Sequence, residues 1–444
     1  MNPRRAAHHI LTRLQETPRR LEILMEEELA RHQTADPRDR AFCVNLVYTL
    51  LRQRAWLDHL LAAFVRRPLE RLDPPALWVL RLGAVELVCL RTPDHAAVHA
   101  AVALARTLGL HTVTGLVNAS LRALARGWRE VPPPAGDAAS VLAVRYSHPS
   151  WLVAEILEEL GSEQTEAWLT ANQKPRPPAL RANTLHISRD GLRELLAPSC
   201  PDLRGHPLAP ESLVLAGPHP PVASLPGLKE GLWQMQDLGA TALGCLLGAE
   251  PGMRVLDLCA GAGGKTGHLA ALMQNQGELL AVELSPGRAV ALKENLARLG
   301  VTCAQVLMAD GTALPAGLGL FDRILVDAPC SGLGVLGRRP DLRWRRSAGD
   351  PVRFSGLQLA LARAAAGLLA PGGAVLYATC TVTRAENEEV ITALLAGHPG
   401  LRLEWSHMPV ALQPCLDTQG WWRTWPQDWG CDSFFAARLA GTQA

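Results

Sequence analysis

The chain has 444 residues, 48% of them hydrophobic, which is too long for one ordinary domain and rich enough in apolar residues for more than one core. A net charge of only +2, no apolar run of membrane-spanning length and no signal-peptide pattern exclude a membrane-embedded or exported class and lead us to expect a soluble cytoplasmic protein. Ten cysteines fall singly with no C-x-x-C pair, which excludes a zinc ribbon and a disulfide framework, so no metal is expected.

Residues 1–132 read as a helical domain. Cys43, Leu46, Val47, Leu50 and Leu51 form the i, i+3, i+4, i+7 stripe of a buried helix face. Asp94 reads as the N-cap of a second helix that stops at Gly109. Residues 1–130 hold 19 Arg against 13 acids, a basic surface suited to a polyanion such as RNA. The Pro/Gly/Ala run 130–140 reads as a linker. Residues 141–232 follow as a small α/β domain: Ser150 as an N-cap, helices "SWLVAEILEEL" and "SEQTEAWLTANQ", then short strands in "PALRANTL" and "SLVLAG" around the helix "RDGLRELLA".

From 233 to 444 strands and helices alternate. Strands are expected at 254–259, 278–284, 303–309, 323–328 and 374–380, the pattern of a parallel, doubly wound Rossmann-like sheet. Ligands of such sheets bind at the carboxyl ends of the strands. The first strand runs into Cys259, Ala260, Gly261, Ala262, Gly263, Gly264 and Lys265, small residues that let backbone approach a ligand at a helix start. This is no phosphate-binding Walker loop, because Cys259 stands where its first glycine is needed. Glu283 after the second strand suits ribose hydroxyls, and Asp310 after the third suits an adenine amino group. Together the three features fit S-adenosylmethionine better than a dinucleotide.

The fourth strand ends in Asp327-Ala328-Pro329-Cys330 instead of the Asn/Asp-Pro-Pro-aromatic box common in amine methylation. Cys380 ends the fifth strand. Two thiols and a carboxylate on one sheet edge suit methylation of cytosine at carbon 5. That carbon becomes nucleophilic only after a thiolate adds to carbon 6, and a base must later remove its proton. Asp327 is placed to hold cytosine N3, and spacing leaves open which cysteine is the nucleophile. The other eight cysteines read as thiols without chemistry. A basic cluster with an interleaved Trp, "RRPDLRWRRSAGDPVR" (338–353), suits either an unstacked nucleotide or a solvated loop.

The runs "DAPCSGLG…RRPDLRW", "YATCTVTRAENEEV" and "LDLCAGAGGKT" resemble the bacterial RNA cytosine-C5 methyltransferases, above all the Sun/Fmu (RsmB-like) type that acts on 16S ribosomal RNA. "RDRAFCVNLVYTLLR" and "VHAAVALARTLG" are similar to that family's NusB-like domain, "SHPSWLVAEIL", "LRANTL" and "WQMQD" to its small RRM-like middle domain, and "CDSFFAARL" to its closing strand. The resemblance implies Cys380 as nucleophile, Cys330 as the group that releases the enzyme, and Cys259–Lys265, Glu283, Asp310 and Asp327 as cofactor contacts. It departs at two places. Gly261-Ala262 stand where the family has Ala-Pro, and Asp432-Ser433-Phe434-Phe435 where it has Asp-Gly-Phe-Phe. A monomeric RNA m5C methyltransferase is therefore expected. The alternatives are the same chemistry on transfer RNA and a non-catalytic RNA-binding assembly factor.

Overall fold

A computed structural model describes residues 2–31 and 36–441. The chain divides into two compact units: residues up to Lys174 together with Arg338–Arg345, and Pro175–Gly337 together with the residues from Arg346 onward.

The first unit is helical. Its main helices span Pro3–Glu16, Leu21–Ala30, Pro37–Ala62, Pro74–Val88, Asp94–Thr107 and Thr114–Gly127, followed by Ala138–Arg145 and Ser150–Asn172. The stripe Cys43, Leu46, Val47, Leu50 and Leu51 is buried in their common core. Asp94 and Ser150 do not cap: each is the first helical residue, preceded by Pro93 and Pro149 with no side-chain cap. A proline fixes its own φ near the value the entering chain needs, so the start is set one residue earlier. The last helix is broken by Gly161 (φ 71°, ψ 176°), which makes two helices of it, as the sequence pattern has it.

The segment Arg338–Arg345 belongs to this unit, although its neighbours in sequence lie in the other. Arg343 is buried and donates to the carbonyls of Arg52 (3.1 Å), Ser147 (3.1 Å) and Asn172 (2.7 Å). Trp344 Nε1 donates to Leu51 O at 2.8 Å, and Arg345 donates to the carbonyls of Thr17 and Arg19. Asn172 ends its helix, so its carbonyl is one of those a helix leaves without a partner. Half of the basic cluster thus answers backbone acceptors inside the protein and is not presented to a nucleotide.

The second unit holds two sheets. Strands β1 (Ala179–Ala182), β2 (Leu203–His206), β3 (Ala209–Leu215) and β4 (Trp233–Met235) form a small antiparallel sheet in the order β2-β3-β1-β4. The helix Arg189–Leu196 packs on it through Leu192 and Leu196. The larger sheet contains β5 (Arg254–Asp257), β6 (Glu278–Val282), β7 (Ala304–Leu307), β8 (Phe321–Asp327), β9 (Leu369–Thr379), β10 (Leu401–Leu403), β11 (Trp422–Thr424) and β12 (Phe434–Gly441). Its order is β10-β12-β9-β8-β5-β6-β7, with β11 also paired to β12. The five strands β5 to β9 are parallel, as expected of this Rossmann-like domain. The sheet is nevertheless mixed, because β12 returns antiparallel against β9. Arg343→Met would strand three carbonyls in the helical unit. It should lower that unit's stability by on the order of 3 kcal/mol, read as a loss of melting temperature in thermal unfolding.

Candidate active site

Strand register brings the two distant cysteines together. In the β8–β9 ladder Asp327 lies opposite Ala378, and Ala328 N donates to Ala378 O at 2.9 Å. Cys380 leaves the sheet just past β9, and Cys330 follows Asp327 through Ala328-Pro329. Their sulfurs stand 3.4 Å apart, within reach of a thiol–thiol hydrogen bond. Gly334 fixes the loop after Cys330. Its N–H donates to Cys380 O and its carbonyl accepts from Ser433 N, each at 2.9 Å. A Cβ there would lie 2.3 Å from Ser433 O and 2.8 Å from Cys380 O, so only glycine fits. The Ser433 departure is thereby absorbed, since the closing turn is held through its backbone.

Lys265, at the start of the helix Gly264–Leu272, reaches Asp327 Oδ2 at 2.7 Å. Burial disfavours the ammonium, but Asp327 more than compensates and holds its pKa above the ordinary value, with Cys380 and Asp257 adding in the same sense. Lys265 is thus a fixed positive charge facing a carboxylate and a sulfur. The hydrogen bond to Cys380, then burial, raises the Cys330 thiol well above its ordinary range. Either sulfur can be the donor in the contact between them. Burial lifts Cys43, Cys89, Cys245 and Cys415 to about 12, in keeping with inert thiols.

Beside the thiols a cleft of ≈ 220 Å³ is lined by Asp257, Gln236, Asp327 and the loop of Cys259–Ala262, Gly264 and Lys265. Gly261 (φ 59°) and Gly263 (φ 86°) adopt left-handed backbone that brings the loop round to the helix start. A Cβ on Gly261 would meet nothing within 4 Å, so the Gly261-Ala262 departure leaves the mouth of the loop open. Asp257 was missed in the sequence because it sits inside the strand pattern. Its Oδ2 accepts from Thr266 Oγ1 at 2.7 Å, while its buried Oδ1 has no partner among the described residues. An orphaned acceptor in a cleft floored by glycine backbone fits a bound polar cofactor such as S-adenosylmethionine.

Glu283 and Asp310 stand farther along the same edge, past β6 and β7, and do not line this cleft. Glu283 Oε1 accepts from Ser285 N (2.7 Å) and meets Arg288 Nε (3.1 Å). Asp310 is exposed, and its Oδ1 accepts from the backbone and the hydroxyl of Thr312, which lowers its pKa.

The chain is similar to known proteins over most of its length. The family model described as 16S rRNA methyltransferase RsmB/F matches residues 245–440. The NusB family matches 1–126, and a ferredoxin-like domain of RsmF/B-like methyltransferases matches 148–222. The chain is 34% identical to a probable ribosomal RNA small subunit methyltransferase B of Synechocystis sp., covering 94% of each chain. It is 36% identical to ribosomal RNA small subunit methyltransferase B of Sodalis glossinidius, covering 83% of each. The solved structure named PH0851 is similar over 99% of both chains, with 26% identity and a TM-score of 0.78.

Burial, opposed by the Thr266 hydrogen bond and helped by Asp327, pushes Asp257 from 3.8 up to about 6. The folded value lies above the unfolded one, so ionised Asp257 is the destabilised form. The penalty is full above pH 6 and gone below 3.8. Asp257→Asn should therefore melt at a higher temperature than the parent at pH 8. The advantage should shrink as pH falls through 6, as thermal unfolding across that range would read. Equal melting at pH 8 would contradict the assignment.

Proposed function

The chain belongs to the 16S rRNA methyltransferase RsmB/F family and is an S-adenosylmethionine-dependent methyltransferase of small-subunit ribosomal RNA; from that premise we propose that it methylates carbon 5 of a cytosine through a covalent adduct on Cys380. Transfer RNA and a non-catalytic role both give way to this family assignment. The observation that carries the proposal is the pair of sulfurs 3.4 Å apart, flanked by the Asp327–Lys265 ion pair.

The cofactor, when bound, supplies a methyl group on a cationic sulfur. The loop Cys259–Lys265 and Asp257 would hold it, with Glu283 and Asp310 extending the site along the strand ends. Thiols have ordinary pKa values of about 8.5, so the nucleophile needs a site that favours its anion. The Cys330 sulfur and the Lys265 ammonium both stand beside the Cys380 sulfur.

The Cys380 thiolate adds to carbon 6, and the displaced electron pair reaches the ring as N3 takes a proton from solvent, which it returns when the adduct breaks down. Asp327 has Oδ2 on Lys265 and Oδ1 left for the N3–H. Carbon 5 then takes the methyl group. Cys380 is now a thioether and a poor acceptor, so Cys330 loses one of the interactions that hold its proton. That thiol gives its proton to solvent and takes the one on carbon 5. The C5–H electrons form the C5=C6 bond, Cys380 leaves as thiolate and N3 gives up its proton.

Three domains serve this reading: 1–132 and 141–232 to hold RNA, and 233–444 to catalyse. In the helical unit a cleft of ≈ 680 Å³ is lined in part by Arg54, Arg66, Arg67 and Arg81, of which Arg66 and Arg67 are exposed to a phosphate backbone. A target base must leave any stack to meet a sulfur at the sheet edge.

Cys380→Ala should lower methyl transfer at least about 1000-fold in a radiolabelled-methyl assay on 16S RNA. Cys330→Ala should instead accumulate a protein–RNA adduct that survives a denaturing gel. Methylation by the first variant, or no adduct from the second, would overturn the division of labour.

A further inference from the structure

Glu386 lies in the run that follows Cys380, and its side chain is fully buried. Its carboxylate accepts five hydrogen bonds: from Ser331 N (2.7 Å), Ser331 Oγ (2.5 Å), Thr381 Oγ1 (3.1 Å), Thr383 Oγ1 (2.8 Å) and Gln358 Nε2 (3.1 Å). Ser331 is the residue after Cys330, and Thr381 is the residue after Cys380. Their hydroxyls stand 2.7 Å apart, so one of the two protons is shared between this contact and the carboxylate. One carboxylate therefore gathers the two cysteine loops from below.

The chemistry of the contact argues against a casual packing role. A buried carboxylate is costly unless its lone pairs are met, and among the described residues no cation pairs with Glu386. Neutral donors meet it instead, and four of the five come from the two cysteine loops. A neutral side chain there would leave several buried donors without an acceptor. The residue is itself held: Tyr377 Oη donates to Glu386 O at 2.6 Å, and Thr379 Oγ1 to Asn387 Oδ1 at 2.6 Å.

We propose that Glu386 is a positioning residue, whose carboxylate ties the Cys330 and Cys380 loops together and so sets the distance between the two sulfurs. The proposal rests on the two-thiol mechanism for its consequence in catalysis, but not for its geometry. The negative charge of Glu386 also adds to the hydrogen bond and burial that keep Cys330 protonated. A loosened clamp would misplace both thiols at once, and a misplacement of about 1 Å is enough to cost about 100-fold in rate.

The test uses the full chain and Glu386→Gln, which keeps the size of the side chain but turns one acceptor into a donor. Two quantities are read. The first is kcat beside the KM for S-adenosylmethionine. The second is bridging of Cys330 to Cys380 by dibromobimane, located by peptide mass. The parent should bridge readily. Glu386→Gln should lose most of the bridge and about 100-fold in kcat, with KM within about twofold. Thr383→Val, which removes one donor, should move both quantities the same way by less. It decides the question if Glu386→Gln fails to fold.

A parent that does not bridge, a variant that bridges like the parent, or a kcat within about threefold would overturn the clamp. The bridging readout needs neither RNA nor methyl transfer. Failure of the two-thiol chemistry would leave it intact, whereas failure of the clamp would not.

Discussion

Asp327 lies opposite Ala378 in the parallel ladder between β8 and β9, and the rest of the site follows from that pairing. A shift of one residue would turn every side chain of β8 to the other face of the sheet. In the register observed, Asp327 meets Lys265, and Cys330 and Cys380 leave the same edge side by side. The ladder is pinned from three directions. Val326 and Tyr377 are buried in the core on one face. Gly334 bonds the carbonyl of Cys380, and β12 pairs antiparallel with β9 so that its own entry turn reaches Gly334. The antiparallel return that makes the sheet mixed is thus what closes the cysteine loop.

The two sulfurs, chemically identical, sit in different surroundings. Cys330 is enclosed, carries a hydrogen bond to the other sulfur and faces a buried carboxylate, and all three keep its proton on. Cys380 faces the Cys330 sulfur and the Lys265 charge. The same Lys265 is paired with Asp327 at 2.7 Å. Asp257 stands one strand away, on β5, and retains an unmet acceptor for the cofactor cleft.

Much of this was legible in the sequence, because periodicity and strand-end position are local properties. The helical stripe, the strand–helix alternation and the glycine loop could each be read from a short window. Gly161 was readable as a break for the same reason. What stayed hidden depended on partners far away in the chain. Arg343 and Trp344 suited either a nucleotide or a solvated loop, because charge and aromaticity are visible while the carbonyls of Arg52, Ser147 and Asn172 are not. Glu386 did not stand out in the sequence, since its donors on Ser331 and Gln358 come from other elements. Asp257 passed as the end of a strand, because burial and a missing partner leave no mark on the sequence. The order of the two cysteines came from the family resemblance, since each stands just past a strand end of the same sheet edge.

The central claim is that Cys380, not Cys330, forms the bond to the base. It is tested most directly by offering the chain 16S RNA that carries 5-fluorocytidine, together with S-adenosylmethionine. Fluorine cannot leave as a proton does, so the adduct should stall after methyl transfer and survive digestion. Mass spectrometry of the trapped peptide should find the nucleotide on Cys380. A nucleotide on the Cys330 peptide, or full turnover with no trapped species, would contradict the account.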